Sequence, residues 1–376
     1  MASDILRSLN ILVPITMLLM TVSTTLIVST RAAQPNKTIS AEDHRRSKIL
    51  AVFVFGDSTV DPGNNNVLLT DFRSNFPPYG HSFAGSRPTG RFSDGRLVTD
   101  FLSSYVGLKD YVPPYLDPTL SLEELKTGVS FASAASGFDP LTAKLSNVLS
   151  ISKQLEYFRE YRTKMENAIG KQEMDHIIKH SGMIISSGTN DYGINYFLLP
   201  VRRTSYTVPE YTQYLLGQLQ QLIQELIKEG AKKIGVVGLP PIGCLPIVIT
   251  VYSKNKLARR ECVESLSSVA RSYNEMVKKE LSSELYQAKG VQVVYADIYS
   301  PLNLILQNPR KFGFEEVFEG CCGTGLAETS FLCNPTSPLC SEASKYVFFD
   351  SIHPTEKTYS IIFESLKPVI DQVFEG

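Results

Sequence analysis

Three short segments carry residue types that could act together on a carbonyl carbon. Gly56-Asp57-Ser58-Thr59 follows an apolar run, and Gly56 permits a tight turn that lifts the Ser58 hydroxyl, a potential nucleophile, to the edge of a sheet. Gly188-Thr189-Asn190-Asp191 offers an amide able to donate to a developing oxyanion. Asp350-Ser351-Ile352-His353 is the only D-x-x-H in the chain. That spacing can bring a carboxylate to the imidazole Nδ1, which fixes the tautomer and stabilises the imidazolium. Taken singly, each segment reads equally as local structure: a serine capping a helix, an Asn-Asp turn bonding its own backbone, a histidine at a helix start. Of the five histidines, His44 lies in a polar stretch, His176 and His180 in a charged helical stretch, and His81 in a Pro/Gly-rich loop. His353 is therefore the best candidate for a base.

These groups need elements to position them. Leu50–Phe55 is a continuous apolar run, the pattern of a strand buried on both faces of a parallel sheet. Shorter runs recur at 183–186, 233–237 and 291–295. Between them lie helical patterns over 94–106, capped by Ser93 and ended by Gly107, and over 210–229 and 263–285. A last helix runs from Pro354 to Phe374. Alternating strands and helices predict an α/β fold with a doubly wound parallel sheet. In such sheets sites form beyond the carboxyl ends of the strands, where Ser58 and Asn190 fall. The Gly-, Pro- and Asn-rich stretches 62–93 and 308–345 read as long surface loops.

A net charge of -1 across 376 residues excludes a broad basic surface for nucleic acid. Residues 11–28 carry no charge and precede Ala32-Ala33, which reads as a signal peptide over 1–33. An uncleaved membrane anchor is the alternative, weakened by Pro14 and the Ser/Thr content of 21–30. A polar lead-in over 34–47 contains the sequon Asn36-Lys37-Thr38, a candidate glycan site, and a single domain is expected over 48–376. Secretion into an oxidising compartment favours disulfides among the six cysteines. Spacing does not decide the pairing. Cys244 with Cys262 is the expectation, with Cys321, Cys322, Cys333 and Cys340 pairing among themselves or, as the alternative, holding zinc.

Read together, the segments resemble the plant GDSL esterase/lipase family of the SGNH hydrolase superfamily, in particular its secreted extracellular-lipase-like branch. The resemblance runs from about residue 48 to the C-terminus through FVFGDSTVDPGNNN (53–66), NFPPYG (75–80), PTGRFSDGR (88–96), GVSFASAASGFD (128–139), ISSGTNDY (185–192), GLPPIGCLP (238–246), CCGTG (321–325) and FFDSIHPTEK (348–357). It implies a three-layer α/β/α, flavodoxin-like fold with about five parallel strands. It also implies secreted hydrolysis of small-molecule or lipid carboxylic esters, with no metal or organic cofactor. Matched residue by residue, Ser58 takes the nucleophile position, Asp350 the orienting acid and His353 the general base. Asn190 and the backbone N–H groups of Ser58 and Ala135 take the oxyanion-donor positions. Ala135 stands where the family usually has glycine, so its role requires a φ that alanine tolerates. Thr59 replaces a common leucine. Two other readings compete: a catalytically silent secreted binding protein on the same fold, and a flavodoxin-like nucleotide binder, for which Asp57 and Asp61 are repulsive to phosphate. No stable membrane span is expected once the leader is removed, and the sequence carries no signal of oligomeric state.

Overall fold

Four parallel strands are hydrogen-bonded in the order β1 (Ala51–Gly56), β2 (Ser181–Ser186), β3 (Lys233–Val237) and β4 (Gln292–Ala296). The free edge of β1 is taken by an extended segment over 127–133. Val52 and Val54 donate to the Thr127 and Val129 carbonyls, and Phe131 and Ser133 donate back to Val54 and Gly56. β1 is thus bonded on both edges and buried along its whole length, which accounts for its unbroken apolar run. With that segment the sheet has the expected extent. A second sheet, β5 (Glu316–Gly320) paired in parallel with β6 (Tyr346–Phe348), was not legible as strands.

This computed structural model describes residues 49–253, 260–283, 286 and 289–375. The leader over 1–33, the lead-in over 34–47, its sequon at Asn36 and His44 lie outside the described residues. Strand alternation sorts the core into two faces. Phe53, Phe55, Met183, Ile185, Ile234 and Val236 meet the helices Ile151–Ile169, Val208–Lys228 and Glu264–Leu281 in one cluster. Val52, Val54, Ile184 and Val294 meet Val98–Tyr105 and Glu356–Glu375 in another. The result is α/β/α layering. Among the described residues no helix is long and apolar enough to cross a membrane.

Several boundaries differ from expectation. The helix read over 94–106 begins at Val98, because Ser93 does not cap it; its hydroxyl donates to the Pro354 carbonyl. The last helix begins at Glu356, with Thr355 accepting from the Thr358 N–H ahead of the first turn. Thr207 caps Val208–Lys228 with a capping box. The stretch 62–93 is no mere surface loop: Asn64, Asn65, Tyr79, Arg91, Phe92 and Ser93 are buried. The pairing Cys244–Cys262 is present, and the later cysteines form Cys321–Cys340 and Cys322–Cys333. With every one of those sulfurs in a disulfide, the zinc alternative fails.

Candidate active site

Ser58 sits just past the carboxyl end of β1, as the run Leu50–Phe55 into Gly56 implied. Gly56 adopts φ 146°, and a Cβ there would collide with the Ser186 carbonyl, so the turn needs glycine. Thr59 secures the turn from the other side. Its hydroxyl donates to Asp57 Oδ1 at 2.8 Å and lies 2.9 Å from Ser186 Oγ. Asp57 is fully buried, which raises its carboxyl to about 6 despite the two bonds from Thr59.

The segment after β6 brings His353 to Ser58, with Nε2 2.8 Å from Ser58 Oγ. On the other side of the ring, Nδ1 lies 2.7 and 2.9 Å from the Asp350 oxygens. Asp350 also receives the backbone N–H groups of Ile352 and His353 and the hydroxyls of Tyr79 and Thr329. Burial alone would raise its carboxyl. The facing imidazole and these donors outweigh burial and hold it below the ordinary carboxylate range. Ser58 is 7% exposed and His353 3%, so the pair is shielded from bulk water.

Asn190 opens the helical turn after β2. Its Nδ2 donates to the Ser136 carbonyl at 2.9 Å, across to the 133–138 loop rather than to its own turn. That bond uses one amide hydrogen and leaves the second. Ala135 has φ 64°, the left-handed region that favours glycine. The neighbouring contacts over-determine it. Asp61 Oδ2 accepts from the Ala134 N–H at 2.9 Å, and Asp191 accepts from the N–H groups of Phe138 and Asp139 and from the Thr142 hydroxyl. Among the described residues, no acceptor takes the N–H of Ser58 or of Ala135. Ser58, Ala135 and Asn190 therefore carry spare donors on three adjacent loops.

The long motifs find their use here. Asn64 Nδ2 donates to the Ser130 and Ala132 carbonyls, and Asn65 Nδ2 to Ala134, so the NNN run braces the segment leading to Ala135. Arg91 is paired bidentately with buried Asp100 and seats Phe92, whose ring centroid lies 4.8 Å from that of His353. Asp94 accepts from the Glu356 N–H and helps fix the turn after His353. Buried Asp191, raised to about 7 by desolvation, and buried Asp61, raised to about 6, were not singled out as supports from the sequence. A hydrogen-bonding type flanking each candidate was the available signal. His81 is exposed, and the rings of His176 and His180 lie tilted against each other at the end of a helix remote in sequence from Ser58, Asp350 and His353.

The family described as GDSL-like Lipase/Acylhydrolase matches residues 52–366. The chain belongs to that family. Two GDSL esterase/lipases of Arabidopsis thaliana are similar to it. One is 54% identical over 349 residues, covering 92% of this chain and 92% of the relative. A second is 45% identical over 317 residues, covering 84% and 88%. The whole described sheet from Val52 onward and all three candidate segments fall within the GDSL match.

Proposed function

We propose that this GDSL family member is a secreted serine esterase or lipase in which residues 48–376 form one hydrolase domain. The observation that carries the reading is the unbroken line from Ser58 Oγ to His353 Nε2, at 2.8 Å, and from Nδ1 to Asp350 Oδ2, at 2.7 Å. Family membership supports hydrolysis of a carboxylic ester; the roles of the individual residues are our own assignment. His353 takes the Ser58 proton as Oγ attacks the ester carbonyl, and Asp350 steadies the imidazolium. The N–H groups of Ser58 and Ala135 and the second hydrogen of the Asn190 amide hold the tetrahedral oxyanion. His353 then gives its proton to the departing alcohol. Water, deprotonated by the same imidazole, attacks the acyl-enzyme and releases the acid.

Secretion is supported by three disulfides in the described residues, bonds that persist in oxidising compartments. N-terminal sequencing of the exported protein should find a start near residue 34; a start at Met1 would reject the leader. The esterase reading is tested by incubating purified protein with esters of graded acyl length beside a Ser58→Ala control. Turnover by the parent, lost in the control, is expected. A well-folded parent that binds such esters and cleaves none of them would favour the silent binding protein instead.

A further inference from the structure

The NFPPYG motif ends in a tyrosine that the mechanism above does not use. Tyr79 is completely buried, and its ring meets Phe76, Phe92 and Phe349 edge-on with centroids 5.5–5.9 Å apart. Its hydroxyl donates to Asp350 Oδ2 at 2.7 Å and accepts the Ser330 N–H at 2.8 Å. Because the oxygen already accepts from Ser330, its single proton is committed to the carboxylate. Burial and the facing Asp350 push the phenol well above its ordinary range, so it stays protonated and always donates.

The two Asp350 oxygens are held differently. Oδ1 is fixed by its own loop, through the Ile352 and His353 N–H groups at 2.8 and 2.7 Å. Oδ2, the oxygen nearer His353 Nδ1, takes Tyr79 and, at 2.9 Å, the Thr329 hydroxyl. Neither donor comes from the Asp350 loop. Thr329 and Ser330 lie inside the loop closed by Cys322–Cys333, and Ser330 Oγ is tied in turn to the Asp71 and Arg73 carbonyls.

Resting on the esterase reading, we propose that Tyr79 is a positioning residue for the acid of the triad, with Thr329 as its lesser partner. It fixes the rotation of the Asp350 carboxylate so that Oδ2 faces Nδ1, and it sets how much negative charge that oxygen offers the imidazolium. Its ring does separate work, backing Phe92 against His353. Tyr79→Phe keeps the ring and removes the donor to Asp350 together with the acceptor of the Ser330 N–H, whereas Thr329→Val removes a donor to the same oxygen and leaves Ser330 paired.

With a short-chain ester, Tyr79→Phe should lower kcat about 10-fold and leave KM within about 2-fold, since one charge-assisted bond to the carboxylate is lost. Asp350 with one donor fewer takes a proton more readily, so the acid limb of the kcat/KM profile should move to higher pH. In an Asp350→Ala background the same substitution should cost almost nothing further. A readout independent of turnover is the downfield proton resonance of His353 Nδ1–H, which should shift in Tyr79→Phe and disappear in His353→Ala. Thr329→Val should move the same quantities by less, and it serves if Tyr79→Phe folds poorly. An equal loss in the Asp350→Ala background, or an unmoved pH profile and resonance, would overturn the inference. Absence of ester turnover in the parent, with the resonance still shifting in Tyr79→Phe, would count against the esterase reading and not against this one.

Discussion

Asn190 braces the 133–138 loop and is assigned as an oxyanion donor, and Asn190→Ala should separate the two roles. One amide hydrogen holds the Ser136 carbonyl at 2.9 Å; the other is free for an oxyanion. Loss of the first removes one part-buried hydrogen bond, a cost of about 1 kcal/mol, or a fall of roughly 1–2 °C in Tm for a domain of this length. Loss of the second acts only where charge develops on the carbonyl oxygen, and removing one such donor typically costs about 3 kcal/mol, or roughly 10²-fold in kcat. The ground-state carbonyl gains little from it, so KM should stay within a few-fold. Collapse of the 133–138 loop would not produce this pattern, because Asp61 and Asp191 hold Ala134 and Phe138 independently of Asn190. Steady-state kinetics on a soluble ester and a thermal melt on the same preparation read the two effects apart. A lowered Tm with kcat within about 3-fold of the parent would show that Asn190 only braces the loop, and the oxyanion assignment would be withdrawn.

Three further outcomes are expected. Ala135→Gly relieves a left-handed alanine and should leave kcat within about 3-fold while stability holds or rises by up to about 1 kcal/mol; a large loss of kcat would mean the alanine Cβ itself shapes the site. Asp57, Asp61 and Asp191 have carboxyls raised by burial to about 6, 6 and 7, so their contribution to stability is present at low pH and lost as pH rises through those values. Tm should therefore fall as pH rises from about 4 to about 7 and level off above, whereas the depressed Asp350 makes its contribution disappear only in acid below the ordinary carboxylate range; a Tm that climbs steadily from about pH 4 to about pH 7 would contradict this. Replacing both Cys322 and Cys333 by serine should cost roughly 2–5 kcal/mol and lower kcat, because Thr329 and Ser330 lose their frame; full activity at unchanged Tm would refute the link between that loop and Asp350.

The sequence exposed the parts of this protein that depend on periodicity and on local spacing. The apolar run of β1 and the alternation after it imply the parallel sheet, and D-x-x-H suffices to bring Asp350 to His353 because the contact closes over three residues. What stayed hidden depends on long-range partners. The cap at Ser93 failed because its hydroxyl is drawn to Pro354, 261 residues away in sequence. β5 and β6 escaped notice because they are short and only partly buried, without a long apolar run. The supports of the Ala135 loop, Asp61 and Asp191, look like ordinary turn residues until the fold places them beneath its N–H groups. The φ of 64° at Ala135 was foreshadowed only by the family's usual glycine at that position, not by periodicity or spacing.

The assignment of Ser58 as nucleophile and His353 as its base is open to a direct chemical test. A fluorophosphonate probe reacts covalently with an activated serine, and tandem mass spectrometry of the digested protein reads which one. A single major adduct is expected, on Ser58, formed at least about 10²-fold more slowly in His353→Ala, in step with the loss of ester turnover. An adduct on another serine, or labelling of Ser58 that proceeds equally fast without His353, would contradict it.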